Sequence, residues 1–142
     1  MTFSKDAPFF YDSACAVTPA ELQDLYRYTP WGKSRSCEEI ARMLRHTDLC
    51  FSARVDDRLV AFCRMLTDFT YRASLWDLMV HSDYQGRGLG TRTLQYALSH
   101  PAVRAVPLIV AFSTDLGSFL ARQGFVPRDG QMMLLRRPLE YC

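Results

Sequence analysis

Between Asp77 and Leu98 the chain reads DLMVHSDYQGRGLGTRTLQYAL, and this stretch constrains the fold more than any other. An apolar run ends at Val80 and a short polar loop follows. Gly86, Gly88 and Gly90 then fall within five residues, and a helical apolar pattern begins. Glycine carries an entropic cost and is kept where backbone must take positive φ or approach another group closely. A buried strand, a Gly-rich loop and a helix start, in that order, make a cradle of bare N–H groups suited to an anion.

The elements around it read in order along the chain. PFFYDSACAV (8–17) predicts a first strand. Thr18 and Glu21 form a capping-box pattern with Pro19 at the first helical position, predicting a helix to about Tyr28. TPWGKSR is a loop. Ser36 and Glu39 repeat the capping pattern before a helix over CEEIARMLRH. Strands follow at 49–55 and 59–68, joined by a DDR turn that lacks glycine and is not an ideal hairpin turn. SLWDLMV (74–80) is nearly continuous in apolar residues and suits a central strand. A helix over about 88–99 ends at Pro101. VPLIVAF (106–112) is a buried strand, 114–123 a helix closed by Gly124, and MMLLRR (132–137) a last strand. Strands alternating with helices in the second half predict an α/β sandwich with part of the sheet parallel.

Three readings of the glycine loop compete. A dinucleotide fingerprint starting at Gly86 would need glycine where Thr91 stands, and would belong near the first strand of a fold. A P-loop needs a lysine after its glycines, and none follows. The third is Q-x-x-G-x-G, fitted by Gln85, Gly88 and Gly90 after a buried strand. In that form LMVHSDYQGRGLGTRTL resembles the pyrophosphate-binding motif of the GNAT superfamily of acetyl-CoA-dependent N-acetyltransferases. The likeness extends to the element order: two helices after the first strand, a hairpin, the strand–motif–helix unit, then a strand, a helix and QGF. The wording is most similar to a bacterial and plastid branch with TD before the fourth strand and WD or AD within it, as in Thr67-Asp68 and Trp76-Asp77. Some members of that branch acetylate arylalkylamines such as serotonin; others are associated with protein substrates.

The resemblance implies one domain over 1–142. It would have a mixed sheet of about six to seven strands, about four flanking helices, and a splay between the fourth and fifth strands. The pantetheine arm of acetyl-CoA would lie in the splay against the edge Leu78, Met79 and Val80, with LIVAFS opposite. The Val80 N–H would polarise the thioester carbonyl. Backbone N–H groups of Arg87, Gly88, Leu89, Gly90 and Thr91 would converge on the pyrophosphate at a helix N-terminus. Gly86 and Gln85 would order the loop. Arg87 is either a mobile positive charge near the phosphates or a solvated loop arginine.

An alkylamine acceptor with a pKa near 10.4 must be presented neutral, at roughly 4–5 kcal/mol at pH 7. Asp77 is the best candidate base: aspartate is depleted in strands and rarely buried unpaired, and the resemblance tips the choice toward it, since the aspartate of WD lines the amine side in similar proteins. In an apolar strand its pKa should be raised. The competing reading is a structural aspartate held by backbone or by an arginine such as Arg64 or Arg72. Ser74 could hold a water, and Asp68 and Asp115 rank second as bases. In GSFLARQGF the family usually carries a tyrosine that protonates the leaving thiol, but this chain has Phe119 followed by Leu120. Leu120 is expected beside the coenzyme A sulfur, with solvent or Ser113 as substitute acid. Tyr28 and Trp31 form one expected aromatic wall for the acceptor, with Phe69 and Tyr71 opposite. The activity expected is transfer of acetyl to a small arylalkylamine-like or protein amine in a ternary complex. The rival is a catalytically weak module that binds or senses acyl-CoA.

A net charge of +2 over 142 residues, with scattered arginines, gives no case for nucleic acid or a membrane surface. No window approaches the ~18 apolar residues of a membrane span. The N-terminal residues lack an apolar signal core, so a cytoplasmic protein is expected. The five cysteines include no C-x-x-C pair and most lie in apolar segments, which reads as core packing in a reducing compartment. No His, Cys or Asp spacing points to a metal. A homodimer is open on the resemblance.

Overall fold

The computed structural model describes residues 7–113, 116–130 and 133–137. The chain divides into two compact units, 1–112 and 113–142.

The first unit is an α/β sandwich on one five-stranded mixed sheet. Its strands are β1 (Phe9–Tyr11), β2 (Leu49–Val55), β3 (Arg58–Thr67), β4 (Arg72–Val80) and β5 (Leu108–Ala111), lying in that spatial order. The first four pair antiparallel and β5 joins β4 parallel. The helices are α1 (Pro19–Tyr26), α2 (Cys37–Arg45), α3 (Leu89–Leu98) and the short α4 (Pro101–Arg104). One core of Val17, Leu22, Leu25, Tyr26, Ile40, Leu44, Phe62 and Met79 lies under α1 and α2. A second, of Ala53, Val55, Val60, Ala61 and Leu89, lies under α3. Alternate residues of one strand therefore fill two different layers, which is why β2 and β3 are apolar on both faces.

Local chemistry sets the boundaries. Both capping boxes form, Thr18 with Glu21 and Ser36 with Glu39, each a reciprocal pair of side-chain-to-backbone bonds. The β2–β3 turn is a tight two-residue turn after all: Asp56 and Asp57 take φ of 49° and 63°, the left-handed pair a hairpin requires, which aspartate tolerates. Pro101 opens α4 rather than merely ending α3. His100 precedes it and accepts the Ala102 N–H at Nδ1. The first strand is shorter than the pattern 8–17 predicts. Ser13 accepts the Cys15 N–H and turns residues 14–16 into a 3-10 turn.

In the second unit α5 (Gly117–Arg122) ends in a Schellman motif. The Phe125 N–H bonds Leu120 O, the Gly124 N–H bonds Ala121 O, and Gly124 has φ of +98°. Residues 133–137 form no strand, and Met133, Leu134 and Leu135 are exposed. The predicted strand at 132–137 is thus corrected for its described part, where no side chain is buried to fix a register; residue 132 lies outside the described residues. Among the described residues five strands and five α-helices stand where six to seven and four were expected. Cys50 and Cys63 are buried as expected, whereas Cys15 and Cys37 are exposed; Cys142 lies outside the described residues. Among the described residues no helix is long and apolar enough to cross a membrane, and no three His, Cys, Asp or Glu residues group to hold a metal.

Candidate functional site

The site is built around the second half of β4. The β4–β5 ladder runs from Arg72 opposite Leu108 to Leu75 opposite Ala111. Trp76–Val80 continue β4 beyond it, with no β5 partner among the described residues. On the other side β3 stays paired, but the register shifts: Phe62 faces Met79 and Arg64 faces Trp76. Two residues of β4, Asp77 and Leu78, thus stand against the single Cys63, which is a β-bulge. Asp77 has φ of 57°, the left-handed conformation that such bulges usually reserve for glycine. Beyond the bulge the His81 N–H bonds Val60 O at 2.7 Å. Because N–H groups alternate sides along a strand, the Val80 N–H points away from β3, to the unpaired edge. The carbonyl of Val80 on that edge accepts the Gln85 side-chain amide at 3.1 Å, tying the following loop to the strand.

That loop ends at the helix start the sequence singled out. Gly86 and Gly88 have φ of +78° and +74°, where a side chain would be strained. Gly88 is the N-cap of α3 and supplies no side-chain cap. The first intrahelical donor is the Arg92 N–H, to Gly88 O at 3.1 Å, so the N–H groups of Leu89, Gly90 and Thr91 precede the ladder. These uncapped donors and the dipole suit an anion. Arg87 is stacked over the Tyr84 ring at 5.2 Å.

Asp77 proves to be a hub. Its Oδ2 accepts the Tyr26 hydroxyl at 2.6 Å, Arg64 Nε at 2.8 Å and Arg35 Nη1 at 2.9 Å. Its side chain is 5% exposed. Burial is the largest influence and pushes the pKa up, but the bonds from Tyr26 and Arg64 and the charges of Arg64 and Arg35 outweigh it, and the net shift is downward. The expected raised pKa is therefore corrected: the competing reading, an aspartate held by Arg64, describes the geometry, with Arg35 and Tyr26 added. Burial and the adjacent Asp77 carboxylate push the Tyr26 hydroxyl well above its usual range. Sequence reasoning missed Tyr26 and Arg35. The only available signal was a strand aspartate in need of donors.

The other expected residues of the first unit are dispersed. Ser74 accepts the Trp76 indole N–H at 2.6 Å. Asp68 caps the β3–β4 turn, its Oδ1 accepting the N–H groups of Thr70, Tyr71 and Arg72; Asp115 lies outside the described residues. Both His81 ring nitrogens are engaged, Nε2 by Arg58 and Nδ1 by the Asp83 N–H. The aromatic wall is not one surface. Tyr28 meets the His81 ring at 5.5 Å, past the end of β4, whereas Phe69 and Tyr71 sit before its start. The nine residues of β4 separate Tyr71 from His81, about 30 Å at strand rise. Trp31 lies between these ends, edge-on to Tyr26 at 5.9 Å. In the second unit Ser113 Oγ accepts the Leu116 N–H at 2.7 Å, and Leu120 is the buried residue of α5.

Residues 13–125 match the family model described as the acetyltransferase (GNAT) family. The "Uncharacterized N-acetyltransferase ycf52" of Porphyra purpurea is 30% identical over 111 residues, 75% of this chain and 63% of that protein. The chain thus spans less than two thirds of that relative's length. A solved structure from Xanthomonas campestris pv. campestris, described as an acetyltransferase of the GNAT family, superposes with a TM-score of 0.82 at 25% identity, covering 94% of both chains. A second solved structure, from Deinococcus radiodurans, gives a TM-score of 0.78 at 24% identity over 96% of this chain and 92% of its own, a likeness of fold.

Proposed function

Because the chain belongs to the GNAT family of acetyltransferases, we propose that it moves acetyl from acetyl-CoA to a primary amine by direct attack of the amine in a ternary complex. The observation that carries this reading is the junction of β4 and α3. There a strand edge at Leu78–Val80, without a β5 partner among the described residues, leads through a short loop to a helix N-terminus opened by two left-handed glycines. Acetyl-CoA supplies an acetyl group already activated as a thioester. The bare N–H groups of Leu89, Gly90 and Thr91 suit its pyrophosphate, and the edge of Leu78, Met79 and Val80 suits the amides of its pantetheine arm, as a splay of β4 from β5 would require. Gln85 holds the loop in register with that edge. The outward Val80 N–H is the oxyanion donor of this reading, a role worth about 2.7–4 kcal/mol in barrier height.

Asp77, held by three donors with a lowered pKa, is a weak base, and in this reading it does not take the amine proton. The ammonium proton leaves to water before attack. Trp31, half-exposed beside the bulge, supports an acceptor with an aromatic ring, an arylalkylamine-like amine in preference to a protein amine. A thiol with a pKa near 8.5 leaves without obligatory protonation, so Leu120 in place of an acid tyrosine is compatible with turnover. Leu120 also favours the second reading, an acyl-CoA-binding module. Calorimetric titration with acetyl-CoA, followed by a panel of amines and peptides scored by thiol release, separates them. Binding with turnover of an arylalkylamine supports the first, and binding with no acceptor-dependent thiol release supports the second. Absence of binding overturns both.

A further inference from the structure

Between α1 and α2 residues 27–36 cross from one helix to the next through closely nested turns. Thr29 N–H bonds Tyr26 O at 2.9 Å, Lys33 N–H bonds Thr29 O at 3.1 Å, and Arg35 N–H bonds Gly32 O at 3.1 Å. Gly32 is packed so closely that a Cβ there would come within 2.7 Å of the Tyr26 ring and of Thr29 Oγ1. These bonds shape the segment but do not tie it to the sheet. Its charged tie is Arg35. The guanidinium carbon lies 4.6 Å from the Tyr26 ring centroid and 5.4 Å from that of Trp31, while Nη1 reaches across to Asp77 Oδ2 at 2.9 Å. At the other end of the same residue, the Arg35 carbonyl accepts Gln23 Nε2 at 3.2 Å, fixing it to α1.

We infer that Arg35 is a positioning residue: its guanidinium latches the α1–α2 segment to the bulge of β4 and thereby fixes the place of Trp31. A planar guanidinium can stack on rings through its face and donate in its plane at the same time, which an ammonium cannot. The arrangement is asymmetric. Without Arg35, Asp77 keeps Tyr26 and Arg64, so the strand and its bulge remain satisfied. The segment, by contrast, loses its charge-assisted tie to the sheet. The change falls on Trp31. The consequence for the acceptor rests on the proposed function, which places Trp31 beside it: an unlatched wall must be ordered again at each binding event, weakening acceptor binding with little change in the chemistry that follows.

The test begins with Trp76→Phe, which leaves Trp31 as the single tryptophan of two. In that background Arg35→Ala is expected to raise acrylamide quenching of Trp31 about twofold, the range open to a residue that is 51% exposed. A second Asp77→Asn change should add little to that rise, because the same tie is already cut. Quenching unchanged by Arg35→Ala overturns the latch. So does an equal increment from Arg35→Ala with and without Asp77→Asn. With 2-phenylethylamine as acceptor, Arg35→Ala should raise the amine KM about five- to tenfold, with kcat and acetyl-CoA affinity each within about twofold of the parent. A parallel fall in acetyl-CoA affinity would also overturn it, marking Arg35 as a support of the whole sheet. A parent protein that acetylates no amine refutes the proposed function, while the quenching result still decides the latch.

Discussion

Asp77→Asn probes the hub most sharply. Asparagine keeps the size of the side chain, keeps an accepting oxygen, and tolerates the left-handed φ of 57°. The substitution therefore removes charge and little else. Breaking a buried ion pair by deleting one partner costs about 3–5 kcal/mol, because the surviving charge is left in a poor solvent. Two charges survive here: Arg64 is 14% exposed and cannot readily reach water, whereas Arg35 is 32% exposed and can turn outward. The expected loss is thus at the low end, about 3 kcal/mol, or a fall in Tm of roughly 10 °C for a chain of this length. Asp77→Ala should lose about 1–2 kcal/mol more through backbone strain. The folded-state pKa of Asp77 lies below its unfolded value. Its contribution is therefore fully present above about pH 4 and is lost as pH falls through the folded pKa. The stability gap between wild type and Asp77→Asn, read from urea unfolding, should be flat from about pH 5 to 8 and close at lower pH. A gap below about 1 kcal/mol at pH 7, or one that widens in acid, would refute the assignment of Asp77 as an ion-paired hub.

Three further outcomes are expected. Gly88→Val meets no neighbouring atom but must adopt φ of +74°, and it places a Cβ over the N–H cradle; acetyl-CoA affinity should fall at least about tenfold, and an unchanged calorimetric Kd would dismiss the cradle. The pH profile of kcat/KM for the amine should climb toward the amine pKa of about 10.4 with no earlier limb from a carboxylate; a limb between about pH 5 and 7 that vanishes in Asp77→Asn would restore that residue as the base. Leu120→Tyr should leave acetyl-CoA affinity unaltered and raise turnover where protonation of the leaving thiol limits the rate, and a loss of affinity would count against its expected place beside the sulfur.

What the sequence disclosed tracks the range of the interactions involved. The capping boxes at Thr18 and Ser36, the glycine loop and the ends of β2 were legible because each is settled within a few residues. Asp77 was legible as an anomaly but not as a hub, since its donors lie 51, 42 and 13 residues away and no local pattern pairs them. The same distance effect defeated the aromatic wall: Tyr28 and Tyr71 read alike as exposed aromatics, and only the direction of β4 puts them at opposite ends. The tight β2–β3 turn was undervalued because aspartate stands where glycine is the usual signal. MMLLRR had a strand's composition, but residues 133–137 bury nothing that would hold them as one.

The most direct test of acetyl transfer is a paired assay with acetyl-CoA and 2-phenylethylamine, reading free thiol and N-acetylated amine in the same sample. Amine-dependent thiol release, matched one for one by N-acetyl product, is the result the account predicts. Thiol released at the same rate with and without the amine, and with no acetylated product, would contradict it.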